Sequence, residues 1–184
     1  MNLAERFDQT NDAGISGEIV VQLLQLFDQQ GIEVIVDGGW GVDALLGEQT
    51  RSHRDLDIAL QQKDVPKLRA LLEAHGYHDV PRNDTRDCNF VMGDGWGHEV
   101  DFHSYTFDAH GKLIFGVAYP LESLTGTGSI QSHPVKCIDV EWMVKFHSGY
   151  ELDENDYRDV SALCKRFGIA LPTEYEPFLR EDAG

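Results

Sequence analysis

Basic residues are scarce in this sequence. It has 15 lysines and arginines against 32 aspartates and glutamates, which gives a formal net charge of −17 at pH 7. A protein that binds a nucleic-acid backbone usually presents a basic face, so we expect no nucleic-acid partner, and the composition disfavours polymerase-like and tRNA-directed activities. An acidic surface is compatible with a cationic small molecule, which it attracts over long range; the alternative is that the charge only keeps the protein in solution.

Cysteine and long apolar runs are also rare. The three cysteines, Cys88, Cys137 and Cys164, are far apart and odd in number, which predicts reduced thiols and no disulfide framework. They include no Cys-x-x-Cys pair that would favour zinc. No apolar run reaches the roughly eighteen residues of a membrane span, and the polar, acidic N-terminal stretch is unlike a signal peptide. We therefore expect a cytoplasmic location and no membrane partner.

The first half of the chain alternates predicted helices and strands, an order typical of an α/β fold. Helical spacing of apolar residues predicts a helix over 16–30, with Ser16 as its N-cap. A strand at 33–36 and a helix at 40–46 follow, then a strand around Asp55 and a helix capped by Asp64. Residues 1–14 are expected to form a loose lead-in.

The second half is predicted to hold a hairpin and two helices. Strands at 89–92 and 98–103 flank a glycine-rich turn, residues 120–134 have loop chemistry, and helices follow Asp139 and Asp153. The acidic tail after Pro172 is expected to be peripheral. At 184 residues, the chain is expected to form one domain with a helical appendage: a catalytic domain over 1–134 and a C-terminal helical segment over 135–184.

The segment from Val34 to Leu60 carries the main chemical signal. On a strand, residues two apart point the same way, so Asp55 and Asp57 share one face while Leu56 and Ile58 share the other. Two carboxylates about 7 Å apart repel each other, and a divalent cation would turn that repulsion into attraction. Carboxylate oxygens without nearby thiols suit Mg²⁺.

A Gly-Gly turn and a basic loop precede this strand. Gly38 and Gly39 allow close approach of a ligand to the backbone, and the amides at a helix start attract anions. Arg51 and His53 lie between that turn and Asp55. Together these features favour a metal-bound triphosphate; the alternative is a glycine turn beside a solvated edge strand.

Asp101 is the candidate for a third acid. The predicted hairpin would lay its second strand beside the Asp55–Asp57 strand, where Asp101 could bind the metal or accept the proton of an attacking hydroxyl. Glu99 has the same parity and is the nearest substitute. For His98 and His103 we favour supporting or surface roles, because His98 has the opposite parity and the histidines would not converge with Asp101.

These residues resemble the signature of small antibiotic nucleotidyltransferases of the DNA polymerase β-like superfamily. The matching positions are Gly38-Gly39-Trp40, Asp43, Gly47, Thr50-Arg51, His53 and Asp55-Leu56-Asp57. The pattern is similar to both lincosamide nucleotidyltransferases and aminoglycoside 2″-adenylyltransferases. Val100 to His103 and the stretch from Val135 to Val160 resemble the lincosamide group, and the similarity covers residues 16–167.

The resemblance implies a nucleotidyltransferase fold, a mixed sheet flanked by helices with a small C-terminal helical part. It implies transfer of AMP, or another nucleoside monophosphate, from a nucleoside triphosphate such as ATP onto a lincosamide hydroxyl. Asp55, Asp57 and Asp101 would be the catalytic residues and would hold one or two Mg²⁺ ions, while Gly38, Gly39, Arg51 and His53 would bind the nucleotide.

Several alternatives stay open at this point. The drug could be an aminoglycoside, the acceptor could be a protein side chain, or the chain could be a nucleotide-binding or toxin–antitoxin-type module without drug transfer. Relatives often complete the drug cleft as dimers, so a homodimer is also open.

Overall fold

The computed structural model describes residues 14–179, so most of the expected lead-in and the last residues of the acidic tail lie outside the described part. Six α-helices lie within that part. They are α1 (Gly17–Gln29), α2 (Gly38–Leu46), α3 (Val65–Glu73), α4 (Val140–Phe146), α5 (Glu154–Phe167) and α6 (Glu176–Leu179). None of the described helices is long and apolar enough to span a membrane.

Eight strands form a single sheet within residues 14–179. They are β1 (Val34–Val36), β2 (Asp55–Gln61), β3 (His78–Asp79), β4 (Asn89–Gly93), β5 (Glu99–Phe107), β6 (Leu113–Gly116), β7 (Gly126–Ile130) and β8 (His133–Cys137). The strand order is β3-β4-β5-β2-β1-β8-β7, with β6 paired to β5. Because β2 runs parallel to β5 and antiparallel to β1, the sheet is mixed and the predicted fold class is confirmed.

The central pairing brings distant segments into register. Strand β2 pairs with β5 over its whole length, with Asp57 opposite Asp101 and Asp55 opposite Glu99. Strand β4 flanks β5 on its other side as the predicted hairpin. The two aspartate-bearing strands are therefore neighbours, as expected.

The two faces of the sheet are covered by different helices. On one face, helices α1 and α3 pack against the apolar side chains of β2 and β5, and Leu56, Ile58 and Phe102 are fully buried there. On the other face, Ala59 and Tyr105 pack with residues of α4 and α5. The alternation of strand side chains places Asp57 and Asp101 on this second face, so burial of the apolar face fixes the direction of the acids.

Several local predictions need correction. Helix α2 begins at Gly38 rather than Trp40, because Asp37 caps it with a side-chain bond to the Gly38 amide. Asp64 makes no side-chain cap bond, because it closes a 3₁₀ turn that leads directly into α3. The expected loop over 120–134 contains strand β7 and the start of β8, and β8 pairs with both β7 and β1. The division into a catalytic domain over 1–134 and a helical segment over 135–184 stays a prediction.

The N-caps of two helices and the state of the cysteines agree with expectation. Ser16 accepts a hydrogen bond from the Ile19 amide at 3.4 Å, and Asp153 caps α5 in a reciprocal capping box with Asp156. All three cysteines are free thiols. These contacts are the ones that short polar side chains at helix starts are expected to make.

Candidate active site

Asp57, Asp101 and His103 form the candidate metal-binding cluster. One ligand atom from each of the three side chains lies within 4.8 Å of the other two. Asp57 and Asp101 face each other across the parallel pair β2–β5, and His103 follows two positions later on β5. The structure thus brings together two of the three predicted acids, and it adds a histidine for which we expected a supporting or surface role.

Oδ1 of Asp101 is buried and accepts no hydrogen bond from the described residues. His103 Nε2 lies 3.4 Å from that oxygen and forms an ion pair with it when the imidazole is protonated. A buried acceptor without a partner is unfavourable, so Asp101 presents an atom that a cation or a substrate hydroxyl would satisfy.

Asp55 and Asp57 are both held in surroundings that disfavour their charged forms. Burial raises the pKa of Asp57 to about 7, and the neighbouring Asp55 adds to the rise. Burial also raises the pKa of Asp55, with further contributions from Asp101 and Glu99. Such mutual repulsion between carboxylates is what a bound cation would relieve.

Tyr119 and Asp37 are hydrogen-bonded to each other next to His103 of the cluster. Neither residue was identified from the sequence. The Tyr119 hydroxyl donates to Asp37 Oδ2 at 2.6 Å and lies 3.2 Å from His103 Nδ1. Burial lowers the pKa of His103, but its contact with Asp101 and the charges of Asp57 and Asp37 outweigh burial and raise it overall. His103 therefore lies between an acid that could bind metal and a buried hydrogen-bonded tyrosine.

Asp37 also connects the helix start to the central strand. Its Oδ1 accepts from the Gly38 amide at 2.8 Å, and its own amide donates to the Asp57 carbonyl at 2.9 Å. The signal that could have identified it is its place directly before the glycines, where aspartate is a favoured N-cap. The Gly38 amide already donates to Asp37. Of the two glycine amides, that of Gly39 is therefore the one that the hydrogen bonds of the described residues leave open to an anion.

Both glycines are required by close contacts. Gly38 has a φ of +55°, and a Cβ there would lie 2.2 Å from Asp57 Oδ2. A Cβ on Gly39 would lie 2.3 Å from His53 Nδ1 and 2.8 Å from Arg51 Nη2. The first turn of α2 is thus enclosed between the acidic cluster and the predicted basic loop.

His53 is part of the structure behind this turn. It is buried, with 4% of its surface exposed. Its Nε2 is paired with the buried carboxylate of Asp43, and its ring lies 4.7 Å from that of Trp40. Asp43 also accepts from the amide and hydroxyl of Thr50 at 3.0 and 2.7 Å. Only the Nδ1 side of His53 faces Gly39.

Arg51 points toward the same turn but is paired with an acid. Its Nη2 lies 2.7 Å from Oδ2 of Asp159, a carboxylate on α5 with 1% exposure. Of the other acids, Glu99 pairs with Arg82, outside the metal-binding cluster. His98 bonds Asp94 at 2.6 Å within the turn between β4 and β5.

Paired aspartates lie on neighbouring strands, beside a helix that starts with Gly-Gly. The profile of the aminoglycoside-2″-adenylyltransferase family matches residues 19–163. The chain belongs to this family of antibiotic-modifying nucleotidyltransferases.

Comparison with individual proteins gives the same class. The chain is 30% identical over 150 residues to a lincosamide resistance protein of Staphylococcus haemolyticus, covering 77% of this chain and 89% of that protein. It is 33% identical over 58 residues to a 2″-aminoglycoside nucleotidyltransferase of Klebsiella pneumoniae, covering 32% of this chain and 33% of that protein.

Two solved structures share the fold. The lincomycin-bound crystal structure of the lincosamide antibiotic adenylyltransferase LnuA superimposes with a TM-score of 0.72 at 25% identity, covering 85% of this chain and 99% of that one. The crystal structure of ANT(2″)-Ia in complex with adenylyl-2″-tobramycin has a TM-score of 0.66 at 20% identity, covering 90% of this chain and 95% of that one. The predicted resemblance to both groups is confirmed.

Proposed function

We propose that this protein transfers AMP from MgATP onto a hydroxyl group of a lincosamide and releases pyrophosphate. The register of Asp57 with Asp101 on neighbouring parallel strands carries the reaction type. The lincosamide as acceptor is supported by the relative from Staphylococcus haemolyticus and by the likeness to lincomycin-bound LnuA.

The residues of the acidic cluster fit a divalent cation. Asp101 offers a buried oxygen that accepts no hydrogen bond from the described residues, and Asp57 carries a raised pKa that a positive neighbour would lower. Asp55 shares their face of the sheet and would add a further carboxylate. Oxygen donors of this kind are the ligands that Mg²⁺ prefers. When bound, the ion would neutralise triphosphate charge and favour in-line attack at the α-phosphate.

The distal phosphates would lie against the first turn of α2. The Gly39 amide lies at the positive end of that helix, where anions bind favourably. Arg51 reaches the same turn and would add charge-assisted hydrogen bonds. His53 would contribute through its Nδ1 side, with its ring held in place by Asp43 and Trp40.

Asp101 would accept the proton of the drug hydroxyl as that oxygen attacks the α-phosphorus. The bond from the α-phosphorus to the bridging oxygen then breaks, and pyrophosphate leaves. The base would act at whichever carboxylate oxygen of Asp101 the cation leaves unbound. Glu99 is the weaker candidate, because Arg82 already neutralises its charge.

An aminoglycoside is the second candidate acceptor. The family profile carries the name of aminoglycoside-2″-adenylyltransferase, and the net charge of −17 would attract a polycation. The pairwise similarity to the enzyme of Klebsiella pneumoniae covers 32% of this chain, against 77% for the lincosamide resistance protein, which is why the lincosamide is preferred.

The test is magnesium-dependent release of pyrophosphate from radiolabelled ATP with a panel of lincosamides and aminoglycosides. We expect release with a lincosamide in the wild type and a fall of about a thousandfold or more in Asp57→Asn, because a ligand of the cation is lost. Asp84→Asn, which changes an exposed loop carboxylate, is the matched control and should keep wild-type activity.

Other outcomes separate the alternatives. Full activity of Asp57→Asn with an accepted drug would overturn the assignment of the metal site. Nucleotide binding without release across the panel would favour a binding module. Label retained on a protein band would point to a protein acceptor.

A further inference from the structure

Arg51 and Asp159 form a part-buried ion pair between the basic loop and helix α5. Arg51 Nε lies 3.1 and 3.2 Å from the two carboxylate oxygens of Asp159, and Nη2 lies 2.7 Å from Oδ2. Nη1 donates to the carbonyl of Ser52 at 3.3 Å. Two-point pairing of this kind fixes both the position and the plane of a guanidinium group.

The fixed guanidinium lies at the first turn of α2. Its Nη2 is 2.8 Å from the point where a Cβ of Gly39 would be. The hydrogen bonds of Arg51 among the described residues leave one N–H on each terminal nitrogen for a ligand. Side-chain exposure is 21% for Arg51 and 1% for Asp159, so the arginine reaches solvent while its partner does not.

Helix α5 is a firm support for the carboxylate. It packs against α2 and α4, and the neighbours of Asp159 on its buried side include Val160 and Leu163, both fully buried. A capping box at Asp153 and Asp156 secures its first turn. Asp159 is therefore held by the packing of the helix and not by the loop that it contacts.

We propose that Asp159 is a positioning residue, which holds Arg51 beside Gly39 so that the C-terminal helix α5 completes the triphosphate pocket. The inference rests on the proposed function, in which Arg51 binds the distal phosphates. Asp159 itself would not touch the nucleotide. Asp159 restricts the conformations of the long Arg51 side chain before the nucleotide binds, and preorganisation of this kind improves affinity.

The test compares nucleotide affinity with drug affinity. In Asp159→Asn the two-point pairing is weakened, and we expect the Kd of a magnesium-bound non-hydrolysable ATP analogue to rise about tenfold or more, while the KM of the drug stays within about twofold. The analogue is measured by calorimetry, the drug by pyrophosphate release and folding by thermal melting. In Asp159→Glu the charge is kept but the carboxylate is displaced by one methylene, so a smaller rise is expected.

The matched control is Asp156→Asn on the same helix. Asp156 caps α5 and bonds the Tyr150 hydroxyl at 2.8 Å, so this variant weakens the helix without removing the partner of Arg51. It should melt earlier and keep the wild-type Kd. If Asp159→Asn does not fold, the Kd of the ATP analogue is measured for Asp159→Glu instead.

A double variant separates positioning from a general structural role. If Asp159 acts through Arg51, adding Asp159→Asn to Arg51→Lys should cause little further loss of nucleotide affinity. Wild-type nucleotide affinity in a folded Asp159 variant, or full additivity of the two losses, would overturn the proposal. A wild-type protein that neither binds the analogue nor releases pyrophosphate would overturn the proposed function instead, so the two failures are distinct.

Discussion

Asp57 lies between Gly38 on one side and the carboxylates of Asp55 and Asp101 on the other. Burial together with these charges raises its pKa from 3.8 to about 7. The folded protein therefore holds this proton more tightly than the unfolded chain does. For such a group the contribution to stability is complete below the unfolded pKa and is lost as pH rises through the folded pKa.

This shift predicts how magnesium and pH act together on stability. Without metal, the contribution of Asp57 to stability should fall between about pH 4 and pH 7. Because Mg²⁺ competes with the proton for the carboxylate, it should raise the Tm clearly at pH 8 and little at pH 5. Thermal melting with Mg²⁺ or with a chelator across this range measures the effect.

Asp57→Asn is the control for this linkage. At pH 8 and without metal it should melt later than the wild type, because the repulsion between carboxylates is reduced, and Mg²⁺ should have little effect on it. An equal gain in Tm from Mg²⁺ at pH 5 and pH 8 in the wild type would show that the ion binds elsewhere.

The positions of the single acids were predictable because strand parity is a strong rule. Asp55, Asp57 and Asp101 all have the parity that turns them away from the buried leucines and isoleucines. The role of His103 was not predictable, since it depends on contacts with Tyr119 and Asp101 that only the fold creates. The burial of His53 against Asp43 likewise depends on how the basic loop closes over α2.

The start of helix α2 sets the spacing between the acidic cluster and the basic loop. Asp57 touches one glycine of its first turn, and Arg51 and His53 touch the other. Cβ atoms are excluded from both positions, so the backbone of this turn lies directly against these side chains. Helix α2 is short, with nine residues, and Asp37 caps its N-terminus.

Gly39→Ala should damage this arrangement. The added methyl group would lie 2.3 Å from His53 Nδ1, and the histidine cannot yield because Asp43 and Trp40 hold it. We expect a loss of about 1–3 kcal/mol in the free energy of unfolding and weaker nucleotide binding. Urea unfolding and calorimetry with the ATP analogue measure the two effects.

Gly17→Ala is the comparison for this change. Gly17 begins helix α1, and the nearest described atoms to a Cβ there would be those of the flexible side chain of Gln131, at 2.9 Å. Alanine suits a helix better than glycine, so stability and nucleotide binding should be unchanged or slightly improved. Unaltered nucleotide affinity in Gly39→Ala would mean that the triphosphate lies away from this turn.

The helices and central strands were largely predictable, whereas the edge of the sheet was not. Strand β7 has the sequence Gly-Thr-Gly-Ser-Ile, whose composition is typical of a loop. Gly128 lies in a strand because β7 passes close to α2: a Cβ there would be 2.2 Å from the Ala44 carbonyl oxygen. Such a contact between distant parts of the chain has no local signal.

The molecule as a whole has an apolar core on each face of one sheet, and the acidic cluster lies on the second face. Helices α1 and α3 cover one face with apolar contacts, while the other face carries the acidic cluster and the contacts to α4 and α5. The net charge of the chain is −17, and two of its acids, Asp43 and Asp159, are buried.

This charge predicts different salt dependence for the two candidate drugs. Attraction of a polycation by an acidic protein is screened when the Debye length falls from about 14 Å at 0.05 M salt to about 4 Å at 0.5 M. For an aminoglycoside, kcat/KM should fall about tenfold or more over this range. A lincosamide carries less charge and should show a smaller fall.

The measurement uses saturating MgATP at each salt concentration, so that screening of the nucleotide does not enter. An equal fall for both drugs would indicate that salt acts on a step that they share. A fall in kcat rather than in kcat/KM would also indicate that salt acts on a shared step, because electrostatic steering changes the rate at which drug and enzyme associate.

Strand β2 is paired with β5 along the whole length of β2, from Asp55 opposite Glu99 to Gln61 opposite Tyr105. The spacing of Asp57 and Asp101 is therefore set by backbone hydrogen bonds, and substitutions outside this pair of strands should leave it unchanged. A resistance enzyme built in this way is free to diversify its target while its reaction stays constant. New sets of accepted antibiotics would then arise through substitutions outside the β2–β5 pair, while the two strands stay unchanged.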